Sequence, residues 1–138
     1  MKPIYITLFI LLLFSCKKNP TRQEVDNPSS ALIYSKLQGT WINTLDPYST
    51  LTFEDKNVIN RYDGIAVKKN IRYTIEDSCA GTNLKNTPIE KNKYILTNST
   101  PRECYYIIKL DTENLIIGLW GTQQPLRFKK KTENDQES

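Results

Sequence analysis

The chain contains no histidine. Histidine is the commonest general base near neutral pH and the commonest nitrogen ligand of zinc, so its absence removes the usual hydrolytic and metal-dependent mechanisms. The adjacent carboxylates Glu54-Asp55 and Glu76-Asp77 are the remaining acid–base candidates. Neighbouring residues of a strand point to opposite faces, so neither pair predicts a catalytic site. No glycine-rich phosphate loop is present. We therefore expect a protein that is not an enzyme and that binds no metal ion or cofactor.

The net charge is small. The 19 basic and 15 acidic side chains give a net charge of +4, and the basic residues are scattered apart from the short run at 129–131. Nucleic-acid-binding proteins usually present a concentrated basic face. The composition therefore predicts no nucleic-acid partner.

The chain lacks an apolar run of the roughly 20 residues that cross a bilayer. Its N-terminal run, residues 4–14, follows Lys2 and ends at Ser15-Cys16, as in a secretory signal peptide. Leu13-Phe14-Ser15-Cys16 resembles the lipobox of bacterial lipoproteins. The resemblance implies removal of residues 1–15 and acylation of Cys16, and two or more acyl chains anchor a protein stably. An ordinary secretory signal is the alternative.

The expected location is thus the cell envelope, with the membrane as partner through acylated Cys16. By analogy with the same family, Lys17 in place of an aspartate favours the outer membrane, and both the periplasmic and the cell-surface orientations stay open. Export also bears on the other two cysteines, Cys79 and Cys104, because disulfides persist outside the cytoplasm. A catalytic thiol would lack a histidine base, so we expect these two to pair.

The mature chain is long enough for one domain. Residues 16–30 are polar and predict a lipidated anchor and flexible tether, residues 31–131 the folded domain, and residues 132–138 a polar tail. Ser30 is a suitable cap for a short helix over residues 31–37 that stops at Gly39.

Short strands separated by turn residues follow this helix, and several alternate apolar and polar side chains. The predicted strands are 40–45, 50–54, 58–62, 70–76, 93–97, 104–110, 115–120 and 126–131. Such strands, joined mostly by tight turns, predict an all-β, eight-stranded antiparallel up-and-down barrel. A two-sheet β-sandwich is the alternative.

Strands 104–110 and 115–120 are apolar on both faces, so their outer side needs cover from the short helix, a partner protein or the membrane surface. In a strict meander, Cys79 and Cys104 would lie at opposite ends of the barrel, although a disulfide needs Cα atoms within about 7 Å. Either residues 80–92 fold back, or the intervening strand is short or displaced, or the pair stays reduced.

Gly39-Thr40-Trp41 opens the first strand directly after the helix. This Gly-x-Trp pattern, together with the strand count, resembles the short lipocalin-like domains of bacterial lipoproteins. The resemblance implies that Trp41 plugs the closed end of the barrel. It also implies that Arg127 or Lys129 packs across the indole ring as a cation–π partner, with Lys130 as a further possibility.

Aromatic side chains with polar groups line ligand sites and also fill barrel cores. If a pocket exists, we expect its walls to be Tyr62, Tyr73, Tyr106 and Trp120. The favoured function is a membrane-anchored binding module for a small apolar or amphipathic ligand, which a cavity below about 300 Å³ would oppose. The alternative is a ligand-free barrel that binds an envelope protein or resembles a protease inhibitor.

Overall fold

The computed structural model describes residues 28–84, 86–120 and 122–132. The predicted signal peptide, the acylation site Cys16, residues 16–27 of the tether and residues 133–138 of the tail lie outside these ranges. The described ranges form one helix and eight strands. They are α1 (Pro28–Leu37), β1 (Gly39–Asn43), β2 (Ser49–Glu54), β3 (Asn57–Tyr62), β4 (Ile65–Glu76), β5 (Tyr94–Thr97), β6 (Cys104–Leu110), β7 (Asn114–Leu119) and β8 (Leu126–Lys130).

The eight strands close into a single antiparallel barrel in which each strand pairs with its sequence neighbours and β8 pairs with β1. The predicted eight-stranded, lipocalin-like barrel is therefore confirmed, and the sandwich alternative is wrong. The turn between β3 and β4 places Asp63 at φ 50° and Gly64 at φ 73°. Two successive positive φ angles suit a two-residue hairpin turn, which agrees with the Asp-Gly signal in the sequence.

Period-two alternation divides the side chains between the barrel interior and its outer face. The interior is a continuous apolar core to which all eight strands contribute. Its buried members are Leu37, Trp41, Phe53, Val58, Tyr73, Ile75, Ile95, Ile107, Leu115, Ile117 and Phe128.

Helix α1 closes one end of the barrel. It begins at Pro28, earlier than the sequence suggested, and a proline is well suited to the first turn of a helix because it lacks an amide hydrogen. Leu37 is fully buried at the other end of the helix, and Ile33 and Tyr34 pack against the interior core. Gly39 then turns the chain into β1 with φ at +107°, a conformation that residues with a side chain rarely adopt.

Trp41 plugs this closed end, as expected from the Gly-x-Trp pattern in the sequence. Its indole nitrogen donates to the carbonyl oxygen of Leu37 at 2.7 Å, and the residue is fully buried. The cation over the ring is Lys130, which corrects the expectation of Arg127 or Lys129. The reason is strand parity: Phe128 points inward, so Lys130 shares its face, whereas Arg127 and Lys129 are exposed on the outside.

The outer face of β5 and β6 is covered by the connection between β4 and β5, residues 77–93. Cys79 and Leu84 of this connection pack against Tyr94, Leu96, Cys104, Tyr106 and Trp120, which form a second apolar cluster outside the barrel. Hydrogen bonds hold the cover in place, for example from the Tyr94 hydroxyl to the Pro88 carbonyl at 2.7 Å. This connection, which was not among the covers expected from the sequence, therefore shields part of the outer face of β6, and the short helix α1 lies elsewhere.

Cys79 and Cys104 form the expected disulfide, with their Cα atoms 5.8 Å apart. Two features resolve the conflict with the meander. Strand β5 is only four residues long, so Cys104 at the start of β6 pairs with Leu96, which in turn pairs with Thr74, two residues from the C-terminal end of β4. The chain beyond β4 also folds back along the outside of the barrel and carries Cys79 toward it.

Candidate functional site at the open end of the barrel

The structure does not bring the four predicted ligand residues together. Tyr62 lies exposed at the tip of β3, beside Tyr48. Tyr73 is buried near the closed end, and its hydroxyl donates to the backbone carbonyl of Asp55 at 3.0 Å. Tyr106 and Trp120 belong to the outer cluster. A single pocket walled by these four side chains is therefore ruled out by their positions.

The interior of the barrel instead opens opposite α1, between the turns that follow β1, β3, β5 and β7. A cavity of about 130 Å³ lies beneath this opening. Its deeper walls are apolar, and its lining near the opening carries polar side chains. The apolar lining is Leu51, Phe53, Val58, Ile71, Ile95, Ile117, Leu126 and Phe128, and the polar lining is Asn43, Ser49, Asn60, Lys68, Thr97, Glu103 and Tyr105.

Lys68 reaches this interior because the pairing of β3 with β4 is irregular. Val58 pairs with Ile71 while Asn60 pairs with Lys68, so β4 has an extra residue at this point. A β-bulge changes which face a side chain occupies. Here it turns a lysine toward the cavity from a stretch whose sequence does not alternate.

Glu103 directly precedes β6, which only the short β5 separates from β4, and it joins two other polar side chains of the cavity. Its carboxylate accepts a hydrogen bond from the Lys68 ammonium at 2.8 Å on one oxygen and from the Tyr105 hydroxyl at 2.9 Å on the other. The Lys68 side chain is 47% exposed and that of Glu103 is 29% exposed, so the pair lies at the boundary with solvent. Burial and the neighbouring Glu103 charge raise the pKa of Tyr105.

The backbone fixes the position of Glu103. Its amide donates to the Thr97 hydroxyl at 3.1 Å, and its carbonyl accepts from the Thr97 amide at 2.9 Å. Thr97 thus fixes the backbone of Glu103, while Lys68 and Tyr105 fix its carboxylate. Sequence reasoning missed Lys68, Glu103 and Tyr105 as site residues. Tyr105 and Tyr106 are neighbours in β6 and point to opposite faces of the strand. To choose Tyr105 as the site residue, one must know which face of β6 points inward.

The size of the cavity limits what it can hold. At about 130 Å³ it falls below the 300 Å³ that a pocket for a drug-sized ligand requires. By the measure stated from the sequence, this size opposes a site that encloses a whole ligand, and only a smaller group can enter. An engineered cavity of about 150 Å³ in another protein stays dry and binds benzene. The space therefore suits a single ring or a short branched alkyl group.

Exposed apolar side chains surround the opening. We call this group the apolar rim; it consists of Leu45, Tyr48, Tyr62, Ile65 and Leu126. Leu45 is 82% exposed and Ile65 is 72% exposed. Because these residues come from the β1–β2 turn, the two sides of the β3–β4 turn and the start of β8, the rim is a product of the fold and is not visible as a run in the sequence.

Two of the predicted residues, Tyr106 and Trp120, do share a shallow groove on the outer face of β6 and β7. Gly118, Leu119 and Thr122 complete its lining. Tyr106 donates to the Glu90 carboxylate at 2.8 Å, and the Tyr94 ring packs against both aromatic rings. These contacts tie the aromatic side chains to the cover formed by residues 77–93, and the groove is open to solvent.

Within the described ranges, no three His, Cys, Asp or Glu side chains come together in a way that could hold a metal ion. No helix of those ranges has the length and apolar character needed to span a membrane. Comparison of the chain with protein-family models, with curated proteins and with solved structures gives no match.

Proposed function

We propose that this protein is a lipid-anchored, non-enzymatic binding module of the bacterial cell envelope that takes the apolar end of a small amphipathic molecule into the open end of its barrel. The observation that carries this proposal is the cavity of about 130 Å³, which has apolar walls and polar side chains near its opening. Binding sites for small molecules are mostly apolar with a few placed polar groups, and this arrangement has both.

The ligand enters only in part. The cavity accommodates a group of about benzene size, while the remainder of the molecule contacts the polar side chains and the apolar rim. A ligand of this size buries little surface, so we expect a dissociation constant on the order of 0.1 to 1 mM, or about −4 to −5.5 kcal/mol.

Anchoring is proposed from the lipobox at Cys16, which lies outside the described residues. Helix α1 leads from the tether into the closed end of the barrel, on the side of Trp41. A membrane anchor on the preceding residues leaves the open end free to meet ligands. Incorporation of radiolabelled palmitate into the wild type and its loss in Cys16→Ser tests this part. A Cys16→Ser protein that incorporates as much label as the wild type contradicts it.

Ligand binding is tested with the full chain carrying Cys16→Ser, so that no acyl group competes for the cavity. We expect benzyl alcohol to cause saturable NMR shifts at Ile95 and Ile117, which line the cavity. Val58→Phe fills the cavity and abolishes these shifts, whereas Ile59→Phe, the neighbouring position on the opposite face of β3, preserves them. Shifts that do not saturate, or that survive Val58→Phe, contradict the proposal.

The second candidate is a protein-interaction barrel, and the apolar rim favours it. The outer faces of β6 and β7 suggested this candidate in the sequence, and residues 77–93 cover them in part, around Cys104, Tyr106 and Trp120. Cross-linking in the envelope with Leu45→Ser and Ile65→Ser combined is expected to lose any specific partner. Ile89→Ser is the matched control, since Ile89 is 83% exposed outside the rim. A partner that both variants retain argues against a rim-mediated interaction.

A further inference from the structure

The lining of the open-end cavity contains one cation and one anion, Lys68 and Glu103, and these two side chains are paired with each other. The ligand class that follows from this pairing rests on the proposed function, because it concerns the same cavity. The chemistry of the pair decides what polar group a ligand can carry.

The carboxylate of Glu103 is held in place on both oxygens. Lys68 occupies one and the Tyr105 hydroxyl the other, and the main chain of Glu103 is fixed by Thr97. The Glu103 carboxylate therefore cannot turn away when a ligand approaches Lys68 without breaking its hydrogen bonds to Lys68 and Tyr105. A second carboxylate bound to the ammonium would lie close to the first in a partly desolvated site, where like charges repel more strongly than in water.

A neutral polar group meets no such repulsion. The Lys68 ammonium has three N–H donors, and Glu103 takes one of them among the described residues. A hydroxyl, ether or carbonyl oxygen of a ligand can accept from another. Asn60, on the neighbouring strand, supplies both a donor and an acceptor at the same level of the cavity.

We propose that the open end selects small neutral amphiphiles and rejects carboxylates, with Glu103 as the specificity-determining residue and Tyr105 as the residue that positions it. The ligand class is a benzene-sized or short branched apolar group joined to a hydroxyl or carbonyl group. Ionised carboxylic acids of the same size are excluded.

Glu103→Gln tests this assignment directly. Glutamine keeps the shape of the side chain and an acceptor for Tyr105, but it leaves the Lys68 charge without a partner. The affinity for an anionic ligand is therefore expected to rise, while the affinity for a neutral ligand changes little.

The probes are benzyl alcohol and benzoate, which share an aromatic ring and differ in charge at pH 7. Both are titrated into the full chain carrying Cys16→Ser at low ionic strength, with NMR shifts of cavity residues as the readout, since salt screens such charges. In this background we expect benzyl alcohol to bind at least about tenfold more tightly than benzoate, and Glu103→Gln to remove most of that difference.

Glu113→Gln is the matched control. Glu113 is exposed in the turn between β6 and β7 at the closed end, and its substitution changes the net charge by the same amount. The control is expected to retain the preference for the alcohol. Lys68→Met provides a second arm that does not depend on the folding of Glu103→Gln: benzoate binding is expected to weaken further while the alcohol still binds.

The outcomes separate the two proposals. Equal binding of both probes, or equal effects of Glu103→Gln and Glu113→Gln on benzoate, overturns the charge selection and leaves the cavity as a ligand site. Failure of both probes to bind overturns the ligand-binding function itself, and the charge selection with it.

Discussion

The ammonium group of Lys130 lies 5.0 Å from the centre of the Trp41 ring and donates to the backbone carbonyl of Lys36 at 3.3 Å. One side chain of the last strand thus contacts the plug of the closed end and the last turn of α1. A cation near the C-terminus of a helix also interacts favourably with the helix dipole. The contact joins the two ends of the folded domain.

Replacing this lysine is expected to weaken the closed end. Lys130→Met keeps an unbranched apolar side chain over Trp41 but removes the charge, so we expect the free energy of unfolding to fall by about 0.5 to 2 kcal/mol. Urea denaturation followed by tryptophan fluorescence measures the change. Lys129→Met is the control: this neighbour is exposed on the outer face, and its replacement is expected to stay within about 0.5 kcal/mol of the wild type. Equal effects of the two substitutions would contradict the assignment of Lys130.

Removing the disulfide is expected to lower stability and to loosen the outer cover. Cys79 and Cys104 are separated by 25 residues, and closing such a loop contributes about 3.5 kcal/mol on the chain-entropy model. In Cys79→Ser/Cys104→Ser we expect a lower free energy of unfolding and a red-shifted Trp120 emission, because residues 77–93 no longer shield the outer cluster. Trp41→Phe in the same background isolates the Trp120 signal. An unchanged spectrum and midpoint would show that the cover is held without the covalent bond.

Asp111 makes the stability depend on pH in acid. Its carboxylate accepts from the amides of Glu113 and Asn114 at 2.9 and 2.7 Å and pairs with Lys109 at 3.0 Å, and these contacts lower its pKa. A lowered folded-state pKa contributes stability that is present above the unfolded value of about 3.9 and is lost as pH falls below it. Asp111→Asn is therefore expected to flatten the decline of stability between pH 5 and pH 2. A variant curve parallel to that of the wild type would contradict this.

Tyr105 makes the stability depend on pH in base. Burial, then the charge of Glu103, raises its pKa. A raised folded-state pKa gives stability that is complete below the unfolded value of about 10 and declines as pH rises above it. We expect Tyr105→Phe to lose less stability than the wild type between pH 9 and pH 11, as measured by urea denaturation. If the substituted protein shows the same alkaline loss, Tyr105 is not the group responsible.

Much of the fold follows from local patterns. The predicted strand 104–110 coincides with β6, and Asp63-Gly64 forms the turn that its residue types favour. The main difference is β4, which extends from Ile65 to Glu76, whereas only residues 70–76 were predicted. Bulges against β3 interrupt the alternation in its first half, so a search for period two detects only the second half.

The site was less predictable because the alternation along a strand places neighbouring side chains on opposite faces but does not indicate which face points into the barrel. In β6, the sequence prediction chose Tyr106 as a pocket residue, although alternation alone allows Tyr105 equally. The structure turns Tyr105 toward the cavity and Tyr106 toward the cover. Nothing local to β6 decides this, since the cover comes from residues 77–93, a long connection that contacts β6 only in the folded protein.

β5, the shortest strand of the barrel, lies within the loop of chain that the Cys79–Cys104 disulfide closes. β5 has four residues, and the disulfide joins the chain just after β4 to the first residue of β6. Neither neighbour can separate far from β5 while the bond is intact, so the wall cannot open there to expose unpaired amides to another chain. The backbone amides of β5 should consequently exchange with solvent as slowly as those of the longer strands, and the domain should resist self-association through this seam for as long as it remains oxidised.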